Sequence, residues 1–154
     1  MKLVRETSIR LAILIAIAGV VIHLGAIVAG PSWYVFFGAP APFVESARAG
    51  TWLAPVAGVI IAALMGSCGY YAASSLGLVP MPPLQRSGLA AMATVCLVRA
   101  LLLPLLAIRH PELLNTFETV AAIVWGLGGY GLAEAFIRTT RLANVSFQQA
   151  GQPS

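Results

Sequence analysis

The stretch TVCLVRALLLPLLAIRH, residues 94–110, decides the architecture. It is apolar enough to lie in lipid, yet it carries Arg99 near its middle and Pro104 five residues on. An unpaired arginine at the centre of a membrane helix costs roughly 2.5–3.5 kcal/mol on insertion scales. Such a residue must turn toward neighbouring helices or toward water. Pro104 cannot donate to the carbonyl of Ala100, so an acceptor is left open one residue beyond Arg99. Broken backbone at membrane depth is tolerated only where protein or a water-filled cavity satisfies it. Kink and cation thus point to one place, inside a bundle.

The rest of the chain supplies that bundle. Of its 154 residues 59% are hydrophobic and 9% charged, and its mean hydropathy is +0.89. A soluble domain carries roughly 25% charged residues. Four apolar runs, at about 8–30, 51–76, 87–108 and 116–137, each exceed the ~20 residues that cross a hydrocarbon core of ~30 Å. The reading is an all-α membrane protein: one four-transmembrane-helix antiparallel bundle over residues 1–142, followed by a polar tail, 143–154, expected to be disordered. Lys2, Arg5 and Arg10 before the first run resemble the start of a signal peptide. The apolar run 11–29 is longer than a typical h-region of roughly 7–15 residues, so it is read as a retained span.

Lys/Arg counting sets the orientation. Lys2, Arg5, Arg10, Arg86, Arg138 and Arg141 share one side if the spans alternate, and Arg48 and Arg109 lie on the other. Both termini are therefore expected in the cytoplasm. The second connection, GLVPMPPLQR (77–86), ends a helix at Gly77 and admits none through its prolines, which predicts that spans two and three are antiparallel neighbours. The first connection, 31–50, is longer and lies on the outer side. Its Trp33, Tyr34, Phe36 and Phe37 suit the membrane boundary. Pro42 is placed to open a short helix carrying Glu45 and Arg48 as a surface ion pair.

Lipid tails are as apolar as leucine, so helices in a membrane associate through close backbone approach. Span one has a small-residue seam, Ala12, Ala16, Gly19, His23, Ala26 and Gly30, on one stripe. Span two offers Ala54, Gly58, Ala62, Gly66, Gly69 and Ala73, and span four the run WGLGGYG (125–131). These faces serve tight packing, self-association or a partner membrane subunit.

At 1.5 Å per residue, Arg99 lies about 18 Å and His23 about 20 Å from the cytoplasmic surface. Glu118 falls in the first turn of span four, with Trp125 two turns on along the same face. The simplest arrangement gathers His23, Arg99, Glu118 and Trp125 round one outward-opening polar cavity. Glu118 is the favoured counter-ion of Arg99, with Glu45 in reserve, and arginine snorkelling closes the vertical gap. Each residue also has a plainer role. Arg99 serves as an interhelical tie, His23 as a hydrogen-bonded interior histidine and Trp125 as packing. Glu118 completes a capping box, NTFE, with Asn115 as N-cap. Glu134 is expected to pair with Arg138 at i, i+4.

Cys68 and Cys96 estimate to the same depth on adjacent spans, deep and apolar, which argues against a redox role. No HExxH, P-loop, GxSxG or GxGxxG motif is present in context. No metal or cofactor is expected, since one intramembrane histidine and scattered glutamates make a poor ligand set. No basic run tracks a phosphate backbone, so nucleic acid is not a partner.

The layout of four short-looped spans is similar in topology to that of many small bacterial membrane proteins and of the DoxX-like group, a likeness that implies no residue or activity. Composition points to a bacterial cytoplasmic (inner) membrane. The favoured reading is a non-enzymatic accessory subunit or a bundle that binds membrane lipids or another small amphiphile. Arg99 would hold the headgroup there, with His23 and Trp125 beside it. One alternative is a membrane enzyme acting on a quinone or lipid, with His23 as acid/base and Arg99 stabilising charge. A second is an oligomeric proton- or ion-coupled transporter.

Overall fold

The computed structural model describes residues 2–111 and 116–150. Six helices follow one another: α1 (Lys2–Ala29), α2 (Pro31–Phe36), α3 (Ala41–Ala49), α4 (Leu53–Ser75), α5 (Gln85–Ala107) and α6 (Thr116–Ala150). No strand occurs among the described residues. Four of the helices, α1, α4, α5 and α6, are long and apolar enough to cross a membrane. Their outer faces leave Val21, Val28, Leu64, Leu101, Leu105 and Ile123 exposed. On a soluble protein such an apolar surface would drive association; against acyl chains it is the solvated face.

Helix α6 runs on to Ala150, through most of the segment expected to be a disordered tail, and residues 151–154 lie outside the described chain. The connection 31–50 is itself helical. Pro42 stands in the first turn of α3, as its fixed φ favours. Ser46 ties α3 to α4: its Oγ lies 2.7 Å from Thr51 Oγ1 and accepts from the Ala54 N–H at 3.0 Å. That bond satisfies one of the open donors at the start of α4. At the other end of α4, Gly77 takes φ 75°, and the N–H groups of Gly77 and Leu78 close on Ser74 and Ala73. A left-handed glycine with this pattern terminates a helix.

The packing order differs from the chain order. α1 lies between α4 and α6, and α6 lies between α1 and α5. α4 and α5, joined by the short proline-rich loop and expected to be full neighbours, meet mainly at the loop end, where Ala72 packs with Leu89 and Cys68 faces Cys96. The main core sits in that same half: Ile9, Ala72, Leu89, Ala93, Cys96, Leu132 and Ala135 are buried together. The start of α1, the end of α6 and the 76–84 loop lie at this end, hereafter the terminal end.

The reason is in the small residues. On α6, Gly128 and Gly131 face α1, where they meet Ile15, Ser8 and Ala12. Gly126 and Gly129 face α5, where they meet Ala100, Cys96 and Leu97. One glycine run thus serves two interfaces, because consecutive positions turn by about 100°. The seam on α1 is divided likewise: Gly19 lies under Met65 and Ala16 against Gly69 of α4, while Ala12 meets Gly131 of α6. α4 and α5 have no such shared seam.

Candidate functional site

Arg99 on α5 donates through Nη2 to Glu118 Oε2 on α6 at 2.9 Å. The two residues are not level. A β-carbon at position 129 would touch Leu97 and Cys96, and one at 126 would touch Ala100, so Arg99 stands opposite residues 126–127. Glu118 begins eight or nine residues further along, about 12–14 Å at the helical rise. The pair closes only because both side chains run along the α5–α6 groove toward each other. The guanidinium is thereby carried away from the depth of its own Cα, as snorkelling side chains are. The pair is partly open, with 38% of the arginine and 29% of the glutamate side chain accessible. On the Arg99 side of α5, Val95, Leu102 and Leu106 are exposed, so the pair is bordered by apolar side chains.

The other expected members stand apart from it. His23 lies on α1, whose partners are α4 and α6, and its backbone rests against Gly58 of α4. Its Nδ1 bonds the carbonyl of Gly19 at 2.8 Å, one turn back on the same helix. A carbonyl only accepts, so Nδ1 is the donor in this bond. No hydrogen bond or ion pair among the described residues joins His23 to Arg99, Glu118 or Trp125. Trp125 is half-buried and packs against the core of the terminal half. Glu45 and Arg48 are both exposed on α3, and among the described residues no ion pair joins them or brings Glu45 to Arg99. Asn115, the expected N-cap, lies outside the described residues; Glu118 is in the first turn of α6.

A second polar cluster, at the terminal end, was not legible in local spacing. Glu134 bonds Arg5 of α1 through the arginine Nε, and it also accepts from the Tyr130 hydroxyl at 3.1 Å. Arg138 donates to Glu6 Oε1 at 3.2 Å and, through Nε, to the Ser75 carbonyl at 3.0 Å. The expected Glu134–Arg138 pair within α6 is therefore replaced by two crossed pairs between α1 and α6. The physical cause is register. The contacts of Gly131 with Ser8 and of Gly128 with Ile15 set α1 antiparallel to α6. That register brings Arg5 and Glu6 beside Glu134 and Arg138. Arg138 also satisfies a carbonyl in the last turn of α4, which otherwise lacks a helical donor. The one sequence signal was the charge pattern, an Arg-Glu pair near one end of α1 and a Glu-Arg pair four apart on α6.

A cavity of about 1120 Å³ opens beside this cluster, between the 76–84 loop, the start of α5 and α6 near Thr139 and Thr140. A smaller apolar groove of about 370 Å³ lies between α1 and α4, floored by Ala16, Gly66 and Gly69. The cavity expected around Arg99 and His23 coincides with neither. Cys68 and Cys96 are free thiols facing each other across α4 and α5. No cluster of three metal-ligating side chains occurs among the described residues. No protein-family model, curated protein or solved structure matches the chain.

Proposed function

We propose that this protein is a non-enzymatic bundle of the bacterial cytoplasmic membrane, with both termini inside, that holds a lipid or another small amphiphile as an accessory subunit would. The observation that carries the reading is the half-open Arg99–Glu118 pair set in an apolar face. Such a pair offers donor and acceptor together, at the depth where a headgroup meets its chains. A fully closed tie would offer neither. An intramembrane ionisable residue points by default to a functional site, and a buried ion pair is weak evidence for added stability.

The reading with His23 as acid/base is weaker on geometric grounds. It needs the imidazole and the guanidinium on one substrate, and α1 shares no extended interface with α5. Uncommitted carboxylates along a path would favour a transporter, whereas Glu6, Glu118 and Glu134 are engaged by arginines.

Native mass spectrometry of protein released from lipid nanodiscs tests the proposal. The wild type is expected to retain a lipid or quinone-sized mass that Arg99→Gln and Glu118→Gln both lose. Retention unchanged in both variants, or a bare polypeptide from the wild type, would overturn it.

A further inference from the structure

The 1120 Å³ cleft at the terminal end has a composition of its own. Polar residues Ser75, Gln85, Arg86, Thr139 and Thr140 line it together with apolar Met81, Leu84 and Phe136. Met81 and Leu84 are exposed at 75% and 80%. The cleft lies where α4 ends and α5 begins, hence at the level where a leaflet changes from acyl chain to headgroup.

Its charge is one-sided. None of the chain's five acidic residues lines it. Arg138 at its back is matched by Glu6. Arg86 at its mouth is exposed and has no ion pair or hydrogen bond among the described residues. The opening turn of α5 adds donors. Leu84 holds the N-cap position at φ 54° and offers no side-chain cap. The N–H groups of Gln85, Arg86 and Ser87, all lining residues, therefore find no acceptor among the described residues. The hydroxyls of Ser75, Thr139 and Thr140 donate to backbone carbonyls, which leaves the free guanidinium, the open amides and the Ser87 hydroxyl, beside apolar side chains, to match a phosphate diester carried on a glycerol and acyl chains.

We propose that this cleft seats the headgroup of an anionic phospholipid, with Arg86 and the first turn of α5 on the phosphate and the side chains of Met81, Leu84 and Phe136 against the glycerol and upper chain. The site shares the lipid-binding theme of the function proposed above but no residue with it, so either can fail alone.

The test uses the full chain in nanodiscs of phosphatidylcholine, with or without phosphatidylglycerol, read by native mass spectrometry and thermal unfolding. Phosphatidylglycerol is expected to be retained selectively and to raise the melting temperature. Arg86→Gln should lower that retention roughly fivefold, and Ser87→Glu, which suits a helix N-terminus but puts an anion in the cleft, should abolish it. Both variants should melt like the wild type in phosphatidylcholine alone, since neither residue has a partner to lose. Equal retention of phosphatidylcholine, or unchanged retention in both variants, would overturn the proposal. So would free glycerol phosphate stabilising the protein as well as the lipid does, because the ligand would then be a soluble phosphate ester. Loss of the lipid in Arg99→Gln with retention in Arg86→Gln would place it at the other pair and leave only the earlier proposal standing.

Discussion

Arg5 is bonded to Glu134 across 129 positions of chain, and that contact locks the first helix to the last. Both side chains are mostly shielded, at 21% and 14% accessible. Removing one partner leaves the other in poor solvent. Glu134→Gln is expected to destabilise the fold by roughly 1–3 kcal/mol, below the 3–5 of a fully buried pair. A double-mutant cycle with Arg5→Gln should return a coupling of at least about 1 kcal/mol. Unfolding in mixed micelles measures both, and additive losses would show that the two groups do not interact.

The Arg99–Glu118 pair predicts an asymmetry. A stranded carboxyl can take up a proton, whereas a guanidinium cannot lose one. Glu118→Leu, which strands the arginine, should cost about 2–3 kcal/mol. Arg99→Leu should cost less, and the double Leu variant should recover part of the Glu118→Leu loss. Thermal unfolding of the three proteins in one detergent decides this, and equal losses from the two single variants would contradict it.

The glycines are not equivalent. A methyl group at 131 would run into the backbone carbonyl of Ser8 and the side chain of Ala12, neither of which can swing aside. Gly131→Ala should therefore cost about 1–3 kcal/mol through overpacking. At Gly66 the nearest neighbour would be Val20 Cγ2 at 3.7 Å, ordinary contact. Gly66→Ala should be neutral or stabilising by up to about 1 kcal/mol through helix propensity. Melting temperatures of the two variants should move in opposite directions or, at the least, differ in size.

Mild oxidation probes how α4 and α5 diverge. Cys68 and Cys96 face each other at the terminal end, so a copper–phenanthroline pulse should form one intramolecular disulfide, read as a loss of about 2 Da by intact mass. In a Cys68→Ser/Cys96→Ser background, Val56→Cys with Leu105→Cys at the opposite end should not cross-link. Cross-linking there would mean that the helices pack along their whole length.

Tyr34 carries a buried hydroxyl with no hydrogen-bond partner among the described residues. Tyr34→Phe removes that polar group and should be neutral or stabilise by about 1 kcal/mol. Burial holds the phenol above its ordinary range. Its folded form thus keeps the proton longer than the unfolded chain, so its effect on stability is absent below about pH 10 and unfavourable above it. The wild type should lose more stability than Tyr34→Phe between pH 9 and 11, by chemical unfolding at each pH.

What the linear order of residues determined was what accumulates locally. Span positions follow from summed hydropathy, and 8–30, 51–76, 87–108 and 116–137 overlap the helices throughout. The small-residue stripes on α1 and α4 follow from period alone: Ala12, Ala16, Gly19 and Ala26 are buried, as are Ala54, Gly58, Ala62 and Ala73. Pro42 and Gly77 mark helix boundaries because their backbone preferences belong to the residue itself. Arg99 announced a partner because desolvating a charge is costly wherever the helix lies, and depth with side-chain reach named Glu118.

Tertiary structure alone decided which face meets which. Glu134 had two basic suitors, Arg138 one turn away and Arg5 on another helix, and the α1–α6 register chose between them. His23 shared a depth with Arg99, yet depth fixes one coordinate, and the side-by-side order of the helices fixes the other two. That order comes from which glycine finds room against which neighbour, a property of two surfaces together. No window along one chain segment contains it.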